Sequence, residues 1–284
     1  MNSVFVFLYV ILLSFMTFPL APWIWERWTA HESYYSHGPL LVLLGLYLIF
    51  AHFNSSRPNL LFRLSKCPVG LLSAGAFLYV SGALFRVFFI SAIGLLLVFA
   101  GLIGYLAGAN HFSKIKWPLF FMFLGIPLPM VLTEQLAMFL KSISIRLSSM
   151  ALNLMGIKAR VAGNVLLMPY SKLEVGAPCS GLRSMLSVFS LSLFFVYIRK
   201  PKPLVAGALI LSAPIVALLG NVFRITSLGF VADVYGTKYA MGFFHDFMGY
   251  VAFVFDLLIL FALEWVFTQV YGVFFDEKGR VDAQ

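Results

Sequence analysis

Residues 87–109 read VFFISAIGLLLVFAGLIGYLAGA, twenty-three consecutive positions without a charged side chain. A helix of about 20 apolar residues spans the roughly 30 Å hydrocarbon core of a bilayer, so this stretch predicts a membrane-crossing helix. Seven further stretches meet or approach that measure, at about 4–20, 38–53, 68–85, 117–133, 180–198, 203–230 and 246–271. Composition points the same way. Hydrophobic residues make up 61% of the 284 and charged residues 11%, and mean hydropathy is +0.95. A soluble domain carries about 25% charged residues, so lipid must solvate much of this chain. The expected fold class is an all-α polytopic membrane protein with about eight transmembrane helices. No polar linker divides the sequence, so one integral membrane domain is expected over residues 1–284.

A net charge of +9 could suggest nucleic acid, but the basic residues cluster in short segments between apolar runs. That is the pattern of membrane-flanking loops, and the expected non-protein partner is membrane lipid rather than nucleic acid. Arg57, Arg63 and Lys66 follow the second run, Lys114 and Lys116 the fourth, and Arg199, Lys200 and Lys202 the sixth. With every run crossing once, these loops share one side, which the positive-inside rule makes cytoplasmic. Both termini then lie in the cytoplasm, and the expected location is the cytoplasmic (inner) membrane. The first apolar run lacks a basic segment before it and reads as a retained span. Cys67 and Cys179 fall on opposite faces in this topology, so both are expected as free thiols.

Residues 134–155 differ from the spans. Leu136, Phe139, Ile143, Leu147, Met150 and Leu154 recur every three or four positions, with Glu134, Lys141, Arg146 and Asn153 mostly elsewhere. An amphipathic helix lying in the interface or against the bundle is expected. Pro127 and Pro129 are placed to end the run at 117–133. Residues 158–175, broken by Gly163, Asn164 and Pro169, predict a short extracytoplasmic hairpin.

Three reactive residues fall at the outer ends of consecutive spans. Cys179, after Pro178, is expected to open the sixth span, where the helix dipole and free first-turn amides favour a thiolate. Arg183 stands four residues on and would share its face. Arg224, in Asn221-Val222-Phe223-Arg224, lies within an apolar run where a charge is expensive. His245 opens the eighth span beside Asp246, which reads as a first-turn acid able to orient the imidazole. Taken singly, each has an ordinary structural reading: a small core residue, a snorkelling cation, a hydrogen-bonding histidine. Together they suit acyl transfer. Cysteine and histidine make a nucleophile and general base, and an arginine can stabilise a developing oxyanion. No cofactor or metal is expected.

The stretches APCSGLR at 177–183 and NVFR at 221–224, with His245 and Gly249, resemble the signature of the exosortase and archaeosortase family. YSHGPL at 35–40 and IPLP at 126–129 fit as well, so the resemblance runs from about residue 30 to 250. It implies a multi-pass cysteine peptidase or transpeptidase acting on surface proteins with a C-terminal sorting tail. Such a tail holds a short motif such as Pro-Glu-Pro, one transmembrane helix and a basic end. The resemblance also implies Cys179 as nucleophile, His245 as general base and acid, and Arg224 as transition-state stabiliser. Arg183, Asn221, His37 and Asp246 are candidates for substrate binding or support on physical grounds alone. A transporter using Arg224, Asp256 and Glu264 as intramembrane charges is the main alternative, followed by a non-catalytic assembly factor. Neither a His-Glu-x-x-His nor a Gly-x-Ser-x-Gly motif occurs, which disfavours zinc peptidase and serine hydrolase chemistry.

Overall fold

The computed structural model describes residues 11–55, 66–176 and 179–273. It is built almost wholly of helices, as expected for a polytopic membrane protein. Among the described residues, five helices are long and apolar enough to cross a bilayer: Gly38–Ser55, Phe88–Ala107, Leu182–Arg199, Pro203–Tyr235 and Phe243–Tyr271. A shorter apolar helix covers Pro68–Leu84. The predicted run at 4–20 falls partly outside the described residues, and residues 11–17 of it are helical (α1). Backbone contacts divide the chain into two units, residues 1–129 and 130–284.

The first unit continues through α2 (Ala21–Thr29), α3 (Gly38–Ser55), α4 (Lys66–Leu84), α5 (Phe88–Ala107), α6 (Ala109–Lys114) and α7 (Lys116–Leu124). Helices α4 and α5 form a hairpin whose seam is lined with glycines. A Cβ on Gly75 would meet Val98 N at 2.7 Å and one on Gly101 would meet Leu72 N at 3.0 Å. Small residues let helix backbones approach closely in membranes, where no hydrophobic force draws helices together. Tyr79, on α4, donates to Met16 O at 2.9 Å, and Trp28, on α2, to Gly125 O at 2.9 Å. The predicted run 117–133 is not one helix. Helix α7 has nine residues and stops at Leu124, about 14 Å at 1.5 Å per residue. The chain leaves it at Gly125, ahead of Pro127 and Pro129, because the residue before a proline is disfavoured in helix.

The second unit holds α8 (Met130–Leu154), strands β1 (Arg160–Ala162), β2 (Val165–Leu167) and β3 (Lys172–Glu174), then α9 (Leu182–Arg199), α10 (Pro203–Tyr235), α11 (Thr237–Ala240) and α12 (Phe243–Tyr271). Helix α10 packs against α8, α9 and α12. The expected hairpin is present as β1–β2, and β3 adds to it as a third antiparallel strand. Leu166 and Leu173 from this sheet, with Val175 just after it, share a buried cluster with Leu152, Ile225, Leu228 and Cys179. The amphipathic helix is also present, as α8, but with its faces used in an unexpected way. Phe139, Met150 and Leu154 point outward, at 62%, 62% and 90% exposure. Thr133, Ala137, Ser144, Ser148 and Leu152 are buried. Lipid accepts large apolar side chains, so the small and polar face is the one left for packing.

These helices bring one set of ends together. Helix α9 runs away from Leu182 towards the basic turn at 199–202, and α10 returns from that turn to Arg224. Helix α12 starts at Phe243, two residues before His245.

Candidate active site

Cys179 lies outside its helix. The α9 N-cap is Gly181, with φ +80°, and the helix begins at Leu182. The expected first-turn position for Cys179, and the shared helical face with Arg183, are therefore corrected. A left-handed residue breaks the helix between them, and helix-dipole effects fade beyond the terminal turn. Gly181 is required twice over, because a Cβ there would also sit 2.9 Å from the Asn221 side chain. Asn221 is buried on α10 and donates to Cys179 O at 3.0 Å and Ser144 Oγ at 2.9 Å. Its one amide group thus ties the cysteine loop to α10 and α8.

The three reactive side chains meet. Cys179 Sγ lies 3.0 Å from His245 Nε2. Arg224 Nη2 lies 3.3 Å from the same nitrogen and 3.3 Å from His245 O. His245 Nδ1 lies 3.1 Å from Asp246 Oδ1. A guanidinium can only donate, which favours the neutral tautomer in which Nε2 accepts and the Nδ1–H donates to the Asp246 carboxylate. The thiol and the guanidinium then converge on one lone pair. Cys179 is buried and a free thiol; Asp246 has 80% of its side chain exposed. Arg224 lies against α12, where a Cβ on Gly249 would meet its Nη2 at an ordinary contact distance of 3.4 Å.

The other sequence candidates are placed as follows. Arg183 is the second residue of α9, two positions after the left-handed Gly181. His37 belongs to the first unit, in the turn before α3, its ring stacked on Tyr35 at 6.0 Å and 18°. Tyr35 is buried, which pushes its phenol above the usual range. Glu264 pairs with Arg199 at 3.6 Å. Asp256 is fully buried, and its carboxylate oxygens have no hydrogen-bond partner among the described residues. It fills a notch at Gly220, where any Cβ would overlap the carboxylate. Ser144, with its contact to Asn221, was not legible as a site residue, since a mid-helix serine carries no motif.

Thiol, imidazole and guanidinium within hydrogen-bond reach can form an acyl-thioester and break it again. Residues 25–262 match the family model described as Transmembrane exosortase (Exosortase_EpsH). No curated protein matches the chain, and no solved structure does.

Proposed function

This chain belongs to the transmembrane exosortase family, and on that premise we propose that it is a membrane cysteine peptidase or transpeptidase. Its substrates are surface or secreted proteins with a C-terminal sorting tail: a short motif such as Pro-Glu-Pro, a transmembrane helix and a basic end. The reading rests on one observation, the convergence of Cys179 Sγ and Arg224 Nη2 on His245 Nε2 at 3.0 and 3.3 Å. Cys179 acts as nucleophile, His245 as general base and acid, and Arg224 as oxyanion donor.

In the first half-reaction the Cys179 proton passes to His245 Nε2. The sulfur attacks the scissile carbonyl carbon, and the C=O pair moves onto oxygen. Once Nε2 is protonated it no longer accepts from Arg224 Nη2, whose N–H is released to the new oxyanion. Collapse breaks the C–N bond, and the leaving amine takes the proton from Nε2. In the second half-reaction water, or an amine acceptor, gives its proton to His245 and attacks the thioester. The C–S bond breaks and the thiol is restored. Asp246 holds the tautomer that keeps Nε2 available, and Asn221 holds the Cys179 backbone in place. Arg183 and His37 are candidate contacts for the motif.

The positive-inside rule, applied to the basic turn at 199–202, supports a reading with the site on the extracytoplasmic face and both termini in the cytoplasm. A tail helix anchored inside by its basic end would present its motif at the depth of Cys179. Positioning of this kind raises effective concentration and offsets weak motif affinity. The test is processing of a co-expressed protein with such a tail. Cys179→Ala and Cys179→Ser, inserted at wild-type levels, should lose at least about 10³-fold in rate, as expected when the nucleophile of a coupled set is removed. Normal processing by inserted Cys179→Ala would end the cysteine mechanism in favour of an assembly role.

A further inference from the structure

A cleft of about 430 Å³ opens in the second unit between α10 and α12. Its α10 wall includes Phe223, Thr226 and Ser227, the residues flanking Arg224, and its α12 wall includes Phe244, Phe247 and Met248, which flank His245. Phe244 also packs against the buried cluster that contains Cys179. The cleft thus lies beside the catalytic group, walled by neighbours of Arg224 and His245 on their own helices rather than by those residues themselves. Phe223 and Phe247 are 40% and 47% exposed, so it opens sideways, on helices that cross the membrane. Its size falls within the roughly 300–1,000 Å³ of small-ligand sites.

One polar atom inside it is unexplained. Thr226 Oγ1 is buried and has no hydrogen-bond partner among the described residues. A helical threonine normally bonds back to a carbonyl one turn earlier. Burying a hydroxyl without a partner is unfavourable, and the described residues supply none.

We propose that this cleft is the leaving-group subsite. It receives the apolar side chain of the substrate residue that follows the scissile bond, while Thr226 Oγ1 hydrogen-bonds to the backbone beside it. The inference rests on the peptidase reading above. Direction follows from proton transfer: His245 Nε2 protonates the departing nitrogen, so the residue bearing that nitrogen falls on the side of His245's own helix. The lateral opening suits a fragment that departs still embedded in lipid. An extended backbone at that depth must find hydrogen-bond partners, and Thr226 offers one. A lipid acyl chain would fill the walls and leave the hydroxyl unpaired.

The experiment uses the full-length enzyme in membranes with two tails, differing only in alanine or phenylalanine directly after the cut. The cut is mapped by mass spectrometry of the wild-type product. Ser227→Phe, which fills the cleft, should lower the ratio of phenylalanine-tail to alanine-tail kcat/KM by about tenfold or more. Met248→Ala, which enlarges it, should raise the same ratio by a few-fold. Thr226→Val keeps the shape and should lower kcat/KM for both tails by the same factor, roughly three- to tenfold. Unchanged preference in both size variants, with Cys179-dependent cleavage intact, overturns the subsite alone and marks a lipid-filled groove. Wild-type rates in Thr226→Val overturn the backbone contact. Absence of any Cys179-dependent cleavage by the wild type removes the peptidase reading and the subsite with it.

Discussion

At the residue scale, the chemistry rests on one nitrogen with two donors. His245 Nε2 has a single lone pair, shared in the resting state by the Cys179 thiol and Arg224. Arg224 also reaches His245 O from the same Nη2, a forked use that a lysine ammonium on a shorter reach does not reproduce. Arg224→Lys should therefore lower kcat by about 10²–10³-fold, the usual loss of an oxyanion donor. Alkylation of Cys179 by a small uncharged reagent should change far less, because that step makes no oxyanion. A parallel fall in both rates would return Arg224 to a structural role. The sequence made the three reactive residues legible because counting spans put each at the outer end of its helix. It did not reveal that Cys179 precedes its helix. Pro178 is a good first-turn residue, but the left-handed Gly181 outweighs it, since Asn221 leaves no room there for a Cβ.

At the element scale, α10 and α12 interlock through a notch. Gly220 on α10 receives Asp256 from α12, while a Cβ on Gly249 of α12 would stand at ordinary contact distance from Arg224 of α10. The pairing sets the register of the two helices and thereby the reach of Arg224 to His245. Gly220→Ala should destabilise the protein by roughly 1–3 kcal/mol through overpacking, read as a lower midpoint of thermal unfolding in detergent. Adding Asp256→Ala should recover part of that loss, because the residues share one contact and their effects do not add. Additive losses would show that the notch does not set the packing. Nothing in the sequence pairs Gly220 with Asp256, because they stand 36 positions apart on different helices. Helix α8 was legible as an amphipathic helix, but not in its orientation. Its Phe139, Met150 and Leu154 turn outward, since the solvent itself is apolar and the rule for soluble helices inverts.

At the scale of the whole molecule, the fold class follows from hydropathy, and the sidedness proposed here follows from loop charge. Tyr170, beyond β2, is 88% exposed, and Lys200 caps α9 at its far end. In a background with Cys67 and Cys179 replaced, Tyr170→Cys should react with a membrane-impermeant maleimide in intact spheroplasts. Lys200→Cys should react only after lysis, and the reverse pattern would invert the orientation. The division into eight crossings was less legible, because apolar composition is also satisfied by short helices such as α7 that need not cross. Helix α9 carries a further consequence. Its 18 residues, from Leu182 beside the cysteine loop to Arg199 in the basic turn, measure about 27 Å, close to one hydrocarbon thickness. On the proposed peptidase reading, this length makes the protein a ruler as well as a blade. A tail whose apolar stretch is shorter or longer than this gauge must tilt or drag its motif off the mark. Selection among secreted proteins then depends on hydrophobic length and bilayer thickness as much as on the letters of the motif.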